Sequence, residues 1–321
     1  MTSPPLAWKA GEIYFSQIDW SDTTFSLTYH RPLDPLIRSI RAIGLQHPAV
    51  LQENGQGRFR IVAGARRLRA LQARGVEPFA CWIAGNDTEQ KNLILWSFYD
   101  NLDRGFNSVE QVLAVKKLYS FIPEKEFIED YLPLLGLAPK KEILRRYLSV
   151  AEISPSYRMA LFLGRLFPET MERVRRDFPS QENCILALFI FLQWGFQKQK
   201  EFLNDLGELS KRSGHPPETI LLSNPLLEIM GRVPWSPQQK GTALRKYFRT
   251  ILFPTLTDTE QAFSRALSPL NLDQRTRLSP PPYFEGGHYH LEITFSNNRE
   301  LSESIGRILP SLEKGKFDSL P

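Results

Sequence analysis

The chain has little cysteine: two residues in 321, Cys81 and Cys184, far apart and each in an apolar setting. That excludes a disulfide framework and a zinc knuckle, and both thiols are expected to be buried. No uncharged apolar run reaches the ~18 residues that cross a bilayer. The longest apolar patch, Cys184 to Trp194, is interrupted by Gln193 and reads as a buried helix. The opening Met1-Thr2-Ser3-Pro4-Pro5 lacks the basic and apolar regions of a secretory signal, so a soluble cytoplasmic protein with no membrane partner is expected. Of five histidines only His288 and His290 are close together, and they would need further ligands to hold zinc.

What is present is a 42% hydrophobic share, enough for a sizeable interior in two or three domains, and a formal net charge of +5. That balance is compatible with nucleic acid, nucleotide or acidic lipid partners. The positive charge is unevenly spread: from Gln56 to Val76 there are six arginines and no acidic residue. Inside that run lies Ile61-Val62-Ala63-Gly64-Ala65-Arg66-Arg67-Leu68-Arg69-Ala70-Leu71, an apolar strand passing through a glycine into a helix. The glycine permits a tight turn and close approach, and the first N–H groups of a helix point at whatever occupies the turn. Phosphate is the usual occupant. Two arginines in the first turn oppose the helix dipole unless an anion compensates them. A strand–glycine–helix junction also occurs in ordinary α/β proteins, where it is only a surface turn.

Around this stretch the pattern is that of a small mixed α/β domain. Alternation over residues 11 to 30 predicts short strands about Ser21-Asp22; Leu36, Ile37, Ile40 and Ile43 predict a helix stopped by Gly44. A hairpin with Asn54-Gly55 at its turn follows, then the arginine helix and a strand from Pro78 to Ile83. From Thr88 the chain turns helical. Ser108-Val109-Glu110-Gln111 reads as a capping box. Asp100 and Asn101 offer oxygen ligands for magnesium beside a phosphate, or simply end a helix. Phe127 to Leu161 has the spacing of a helix-turn-helix, with Lys140, Lys141, Arg145 and Arg146 available for phosphate contacts, or for a solvated face in which Glu142 pairs with Arg146. Residues 168 to 272 are a succession of helices with proline breaks, and Lys240 to Arg249 is a second basic segment. After Ser279-Pro280-Pro281-Pro282, a strand over His288 to Phe295 and a stripe of Leu301, Ile305, Ile308 and Leu312 form a strand-helix unit that must dock on the chain or on a second copy.

Three segments, in this order, resemble the ParB family of chromosome and plasmid partition proteins. Gly44-Leu45-Gln46-His47-Pro48 is similar to the family's glycine-to-proline loop. Gly64-Ala65-Arg66-Arg67-Leu68-Arg69-Ala70 is similar to its phosphate motif GERRxRA, and Asp100-Asn101-Leu102-Asp103-Arg104 to its ENxxR, with Asn107-Ser108-Val109-Glu110 continuing as N-P-I-E does. The resemblance spans roughly residues 10 to 165. It implies a ParB/sulfiredoxin-like nucleotide-binding domain (1–105) and a helix-turn-helix DNA-binding domain (106–165); with the helical domain (166–275) and the C-terminal strand-helix unit (276–321), suited to dimerisation, that the residue pattern itself gives, the expected fold class is α+β. The resemblance further implies CTP, or another nucleoside triphosphate, and Mg2+ as ligands of a clamp that closes on DNA as a homodimer. By position, Gly64, Arg66 and Arg67 would hold the triphosphate, Arg104 would serve phosphate binding or a domain contact, and Gly44 and Pro48 would shape the pocket. Asn101, with Asp100 beside it, would ligate magnesium.

Two departures bear on activity. Ala65 stands where the family has glutamate, so at most weak CTP hydrolysis is expected, and Asp100 is a shorter carboxylate than the family's glutamate. The reactive cysteine of sulfiredoxin has no counterpart in Gly64-Ala65-Arg66-Arg67. The leading expectation is a nucleoid-associated DNA-binding protein with a nucleotide switch, acting in chromosome or plasmid partition or in related gene regulation. The alternatives are a metal-dependent nuclease or nucleotide hydrolase on the same domain, and a protein-interaction module, working through its helical C-terminal half, that has lost its nucleotide.

Overall fold

The computed structural model describes residues 8–55 and 57–321; the leader expectation concerns residues outside that range. The chain forms two compact units, Met1–Ile190 and Phe191–Pro321. Among the described residues no helix is long and apolar enough to cross a membrane.

The first unit begins with β1 (Lys9–Ile13), α1 (Asp34–Ile43), β2 (Ala49–Glu53), β3 (Phe59–Ala63), α2 (Ala65–Gln72), β4 (Phe79–Ala84) and α3 (Gln90–Asp100). Its sheet has the order β1-β4-β2-β3, with β2 parallel to β4 and both outer pairings antiparallel. The mixed α/β domain is therefore as the alternating pattern foretold, with a helical remainder after it. Helix α1 stops at Gly44, whose φ of 75° is the left-handed cap that the apolar spacing before it called for. Leu68, Ala70 and Leu71 of α2 close over Ala49, Leu51, Phe79 and Cys81 of the sheet. This packing fixes where the first turn of α2 points.

The expected strands between residues 11 and 30 reduce to β1. Phe25 and Leu27 are buried, but their segment pairs with no strand because its backbone is bonded by side chains instead. Lys117 Nζ donates to the carbonyls of Thr23 (2.5 Å) and Ser26 (2.7 Å), and Ser97 Oγ to that of Phe25 (2.7 Å). Asn107 Nδ2 donates to Tyr29 O at 3.1 Å. With its polar groups satisfied this way, the buried segment needs no ladder.

Helix α4 (Ser108–Tyr119) is capped one residue earlier than the sequence pattern placed it. Asn107 Oδ1 accepts from the N–H groups of Val109 (3.1 Å) and Glu110 (3.0 Å), and Glu110 Oε2 accepts from Asn107 N–H at 3.0 Å. Short helical turns then run from Glu124 to Leu134, and a turn at Gly136 leads to α5 (Lys141–Ser149), α6 (Pro155–Phe162), α7 (Pro168–Asp177) and α8 (Glu182–Leu192). Cys81 is buried, and burial pushes its thiol up to about 11; Cys184, on α8, is exposed, contrary to expectation. Its neighbours Ile185, Leu186 and Phe189 take the buried face of that helix, so the apolar run holds Cys184 on its outer side.

The second unit contains α9 (Phe196–Ser213), α10 (Pro217–Leu221), α11 (Asn224–Gly231), α12 (Pro237–Leu252), α13 (Pro254–Leu267), the antiparallel pair β5 (Thr276–Ser279) and β6 (His290–Ile293), and α14 (Asn298–Glu313). Phe202, Leu203 and Leu206 of α9 pack with Leu244 and Phe248 of α12 in its interior. The terminal stripe is only half used: Ile308 is buried, whereas Ile305 and Leu312 of α14 and Leu291 of β6 are exposed.

Candidate functional site

The carboxyl end of β3 turns into α2 through Gly64, whose φ of 88° is left-handed. A Cβ built there would lie 2.8 Å from Arg67 Nε and 3.0 Å from the Cα of Ala49, so the turn admits only glycine without displacement. No side chain caps the helix start. The first amide groups of α2 thus lack intrahelical partners, as at any helix N-terminus.

Six of the eight residues expected to bind nucleotide or metal converge on one cleft of about 370 Å³: Gly64, Arg66, Arg67, Asp100, Asn101 and Arg104 line it, with Thr28, Leu36, His47 and Asp103. Gly44 and Pro48 do not. Gly44 ends α1, and Pro48 lines an adjoining cleft with Trp8, Trp82 and Trp96 that shares His47, Arg67 and Asp100 with the first.

The arginines differ in what holds them. Arg67 Nη2 donates to both oxygens of Asp100 at 2.9 and 2.8 Å, and Nη1 donates to His47 O at 3.1 Å. Arg104 donates from Nε to Asn101 Oδ1 at 2.7 Å, from Nη1 to both oxygens of Glu110 at 2.9 Å, and from Nη2 to Thr28 Oγ1 at 3.2 Å. Both oxygen ligands expected for magnesium are therefore engaged by guanidinium groups. Arg66 has no carboxylate: its Nη2 donates to Pro32 O at 2.7 Å, and its Nε is buried without any partner. Burial, with the neighbouring charges of Arg104 and Arg31, pushes the Arg66 guanidinium below its ordinary pKa despite the opposing pull of Glu110.

The sequence marks Glu110 as a capping residue and as the end of the segment similar to N-P-I-E, and does not single out Arg31 or Thr28. The Glu110 side chain is fully buried, and it accepts from Arg31 Nη2 at 2.6 Å, from Arg104, and from the N–H groups of Tyr29 and Asn107, both at 3.0 Å. Burial raises its pKa; the bonds from Arg31, Asn107, Arg104 and Tyr29 outweigh that and hold it below the ordinary glutamate value. Its position at the third residue of α4 signals the cap. The second role depends on chain that arrives from 79 residues away at Arg31, which no local pattern discloses.

Four guanidinium groups, of Arg31, Arg66, Arg67 and Arg104, thus crowd a helix N-terminus against three carboxylates, of Asp100, Asp103 and Glu110. Arg66, left without a carboxylate and with a partnerless Nε, fits a phosphate group at this helix start. Oxygen donors for a cation are also present, on Asp100 and Asn101, once guanidinium groups release them.

The residues expected at DNA are gathered at the start of α5 and face outward to different degrees. Lys140, Lys141 and Arg145 are exposed, and Lys141 Nζ lies 2.5 Å from Glu124 Oε1. Arg146 pairs with Glu172 at 3.0 Å and Glu169 at 3.7 Å, both on α7, rather than with Glu142 as the helical spacing suggested. The opposite side of α5 buries Leu144 and Tyr147.

Residues 24–97 match the ParB N-terminal domain. A nucleoid occlusion protein of Geobacillus kaustophilus is 38% identical over 88 residues, 27% of this chain and 30% of that one. A probable chromosome-partitioning protein ParB of Pseudomonas putida is 30% identical over 87 residues, 27% of this chain and 29% of that one. The matched region thus spans about 30% of the length of these curated relatives. Among solved structures, C-terminally truncated ParB from Caulobacter crescentus complexed with CTP-gamma-S aligns at 18% identity and a TM-score of 0.25, over 56% of this chain and 92% of that one. The same protein complexed to the centromeric parS site aligns at 17% identity and 0.34, over 59% and 94%. At these scores neither alignment bears on the placement of individual residues.

Proposed function

We propose, from the ParB N-terminal domain over residues 24–97, that this chain is a DNA-binding protein whose N-terminal cleft holds a nucleoside triphosphate of the CTP type as a switch. The observation that carries this reading is Arg66, a cation held at a helix N-terminus with no carboxylate and with a buried Nε that has no partner. Gly64, Arg66, Arg67 and Arg104 would hold the phosphates, and Gly44 and Pro48 would set the loop and strand that bound the pocket. Asp100 and Asn101 would take Mg2+, which when bound neutralises phosphate charge.

The switch lies in the competition for arginine. Arg104 bonds at once to Asn101 after α3, to Thr28 in the irregular segment and to Glu110 on α4. An anion that draws Arg104 and Arg31 loosens their hold on Glu110, so the position of α4 depends on occupancy of the cleft. Hydrolysis is weak at most, since Ala65 leaves no carboxylate in the first turn of α2. Isotope-labelled CTP incubated with the protein should remain largely intact under conditions where it binds; brisk turnover would contradict that part.

The segment 106–165 is proposed to read DNA as a helix-turn-helix, with α5 presenting Lys140, Lys141 and Arg145 to phosphates. The double variant Lys140→Ala/Arg145→Ala is expected to weaken DNA binding and to flatten the plot of log affinity against log salt by roughly one per phosphate contact removed. Arg146→Ala is expected instead to lower stability through its lost pairs with Glu172 and Glu169, with little change in that slope. Fluorescence anisotropy over a salt series distinguishes the two. The exposed residues Ile305 and Leu312 support a homodimer through α14. Partition of a chromosome or plasmid, or regulation of nearby genes, follows from such a DNA-bound switch.

A further inference from the structure

The second unit carries a groove that the N-terminal cleft does not explain. It runs over α12 and α13, which form a hairpin at Phe253-Pro254, and consists of two adjoining hollows of about 590 and 500 Å³ that share Lys246, Arg249 and Glu260. The two ends have different chemistry.

At one end the floor is Thr257, only 7% exposed, whose Oγ1 is buried and has no hydrogen-bond partner. A hydroxyl in that state costs stability unless something accepts its proton. Lys246, Arg249 and Arg265 stand around it. Arg249 is paired with Glu260 at 2.6 Å, while Lys246 and Arg265 have no carboxylate partner among the described residues. The end therefore holds a surplus of positive charge over an unused donor, which suits a phosphate oxygen.

The other end is aromatic. Tyr283 sits at a left-handed φ of 56°, unusual for a residue with a side chain, and its ring is 76% exposed. Phe253 is 46% exposed even with Arg212 lying 5.9 Å from its ring. Asp205 and Glu201 line the same hollow as the rings, and Glu201 pairs with Arg245 at 2.7 Å. Burial and the nearby charge of Glu201 push the Asp205 carboxyl up, against the opposing pull of Arg245.

We propose that this groove binds a nucleoside phosphate, with the base against Tyr283 and Phe253, sugar hydroxyls or a base amino group donating to Asp205 and Glu201, and the phosphate on Lys246, Arg249, Arg265 and the Thr257 hydroxyl. The spread of groups decides against simpler occupants. Inorganic phosphate leaves the open rings and the two carboxylates unused. A polynucleotide would bring backbone phosphates past Asp205, Glu201 and Glu260, whereas a mononucleotide puts its charge at the basic end alone. The two hollows are each of the size that small-ligand sites have.

The test uses the full chain bearing Arg66→Ala, so that binding at the N-terminal cleft does not mask the result. CMP and AMP are titrated calorimetrically, with inorganic phosphate and a single-stranded oligonucleotide as comparisons. One saturable mononucleotide site is expected. Lys246→Gln/Arg265→Gln should weaken it by about tenfold or more, the loss of charge-assisted bonds. Tyr283→Ala should weaken the mononucleotide about tenfold and leave inorganic phosphate unchanged. Thr257→Val is nearly isosteric; it should weaken binding several-fold while the unfolding midpoint holds or rises, because a partnerless buried hydroxyl is removed. The proposal is overturned if neither mononucleotide binds, if the Lys246 and Arg265 substitutions change nothing, or if inorganic phosphate or the oligonucleotide binds as tightly as CMP and AMP. Failure here leaves the N-terminal reading intact, since that site is tested by the parent chain.

Discussion

Glu110→Ala is expected to destabilise the first unit by about 3–5 kcal/mol, the cost of removing one partner from a buried ion pair. For a unit of this size that corresponds to a fall of roughly 10 °C in the unfolding midpoint. The cause is specific. Glu110 is fully buried and is the only carboxylate that both Arg31 and Arg104 reach among the described ion pairs. Without it two guanidinium groups face each other near Arg66 with no countercharge, and the N–H groups of Tyr29 and Asn107 lose their acceptor. Glu110→Gln keeps the volume and one acceptor oxygen and should lose less. The same residue sets an acid limit. A carboxyl held below its ordinary value contributes stability that is present above the unfolded-state pKa of 4.5 and disappears as pH falls through the lower folded-state value. The parent chain should lose stability on acidification below that point, and Glu110→Gln should show a shallower loss. Urea titrations from neutral to acid pH measure both; a parent and variant with parallel pH curves would refute the role given to Glu110.

Arg66→Ala is expected to do the reverse: to spare stability and remove function. The Arg66 charge is opposed in the free protein by burial and by Arg104 and Arg31, and Nε has no acceptor, so the fold gains little from it. In the proposed complex the same guanidinium meets phosphate. Losing a hydrogen bond to a charged group costs about 1.5–3 kcal/mol, or roughly a 10- to 100-fold loss of nucleotide affinity. A residue that is a burden on the fold and a gain to the site is the expected signature of function over stability. Equal unfolding midpoints with sharply different nucleotide affinity would bear this out, and a variant that unfolds early yet binds normally would contradict it.

Much of the site was readable as local pattern. Gly44 as a helix stop and Gly64 as a tight turn are legible because each follows or precedes a helix with clear apolar spacing, and both glycines take a positive φ at those places. The arginine run next to Gly64 reported an excess of cation, and Asp100 and Asn101 do reach the same cleft as Arg66 and Arg67. What could not be read is what each cation is bonded to. The Arg67–Asp100 pair joins residues 33 apart, and Arg31 reaches Glu110 across 79. Residues 23–31 deceived by alternation: Phe25 and Leu27 are inward as a strand would place them, yet side chains of Ser97, Asn107 and Lys117 take the backbone that a neighbouring strand would have taken. Cys184 shows the same limit on helices, where an apolar run does not say which residue lies on its open face.

The most direct test of the nucleotide switch is a calorimetric titration of CTP with Mg2+ into the full chain and into its Arg66→Ala variant, both at low and at moderate salt. A single saturable transition in the parent, weakened by salt and lost or at least tenfold weaker in the variant, is the result expected of a phosphate held on Arg66. No CTP binding by the parent chain, or equal binding by the variant, would contradict it.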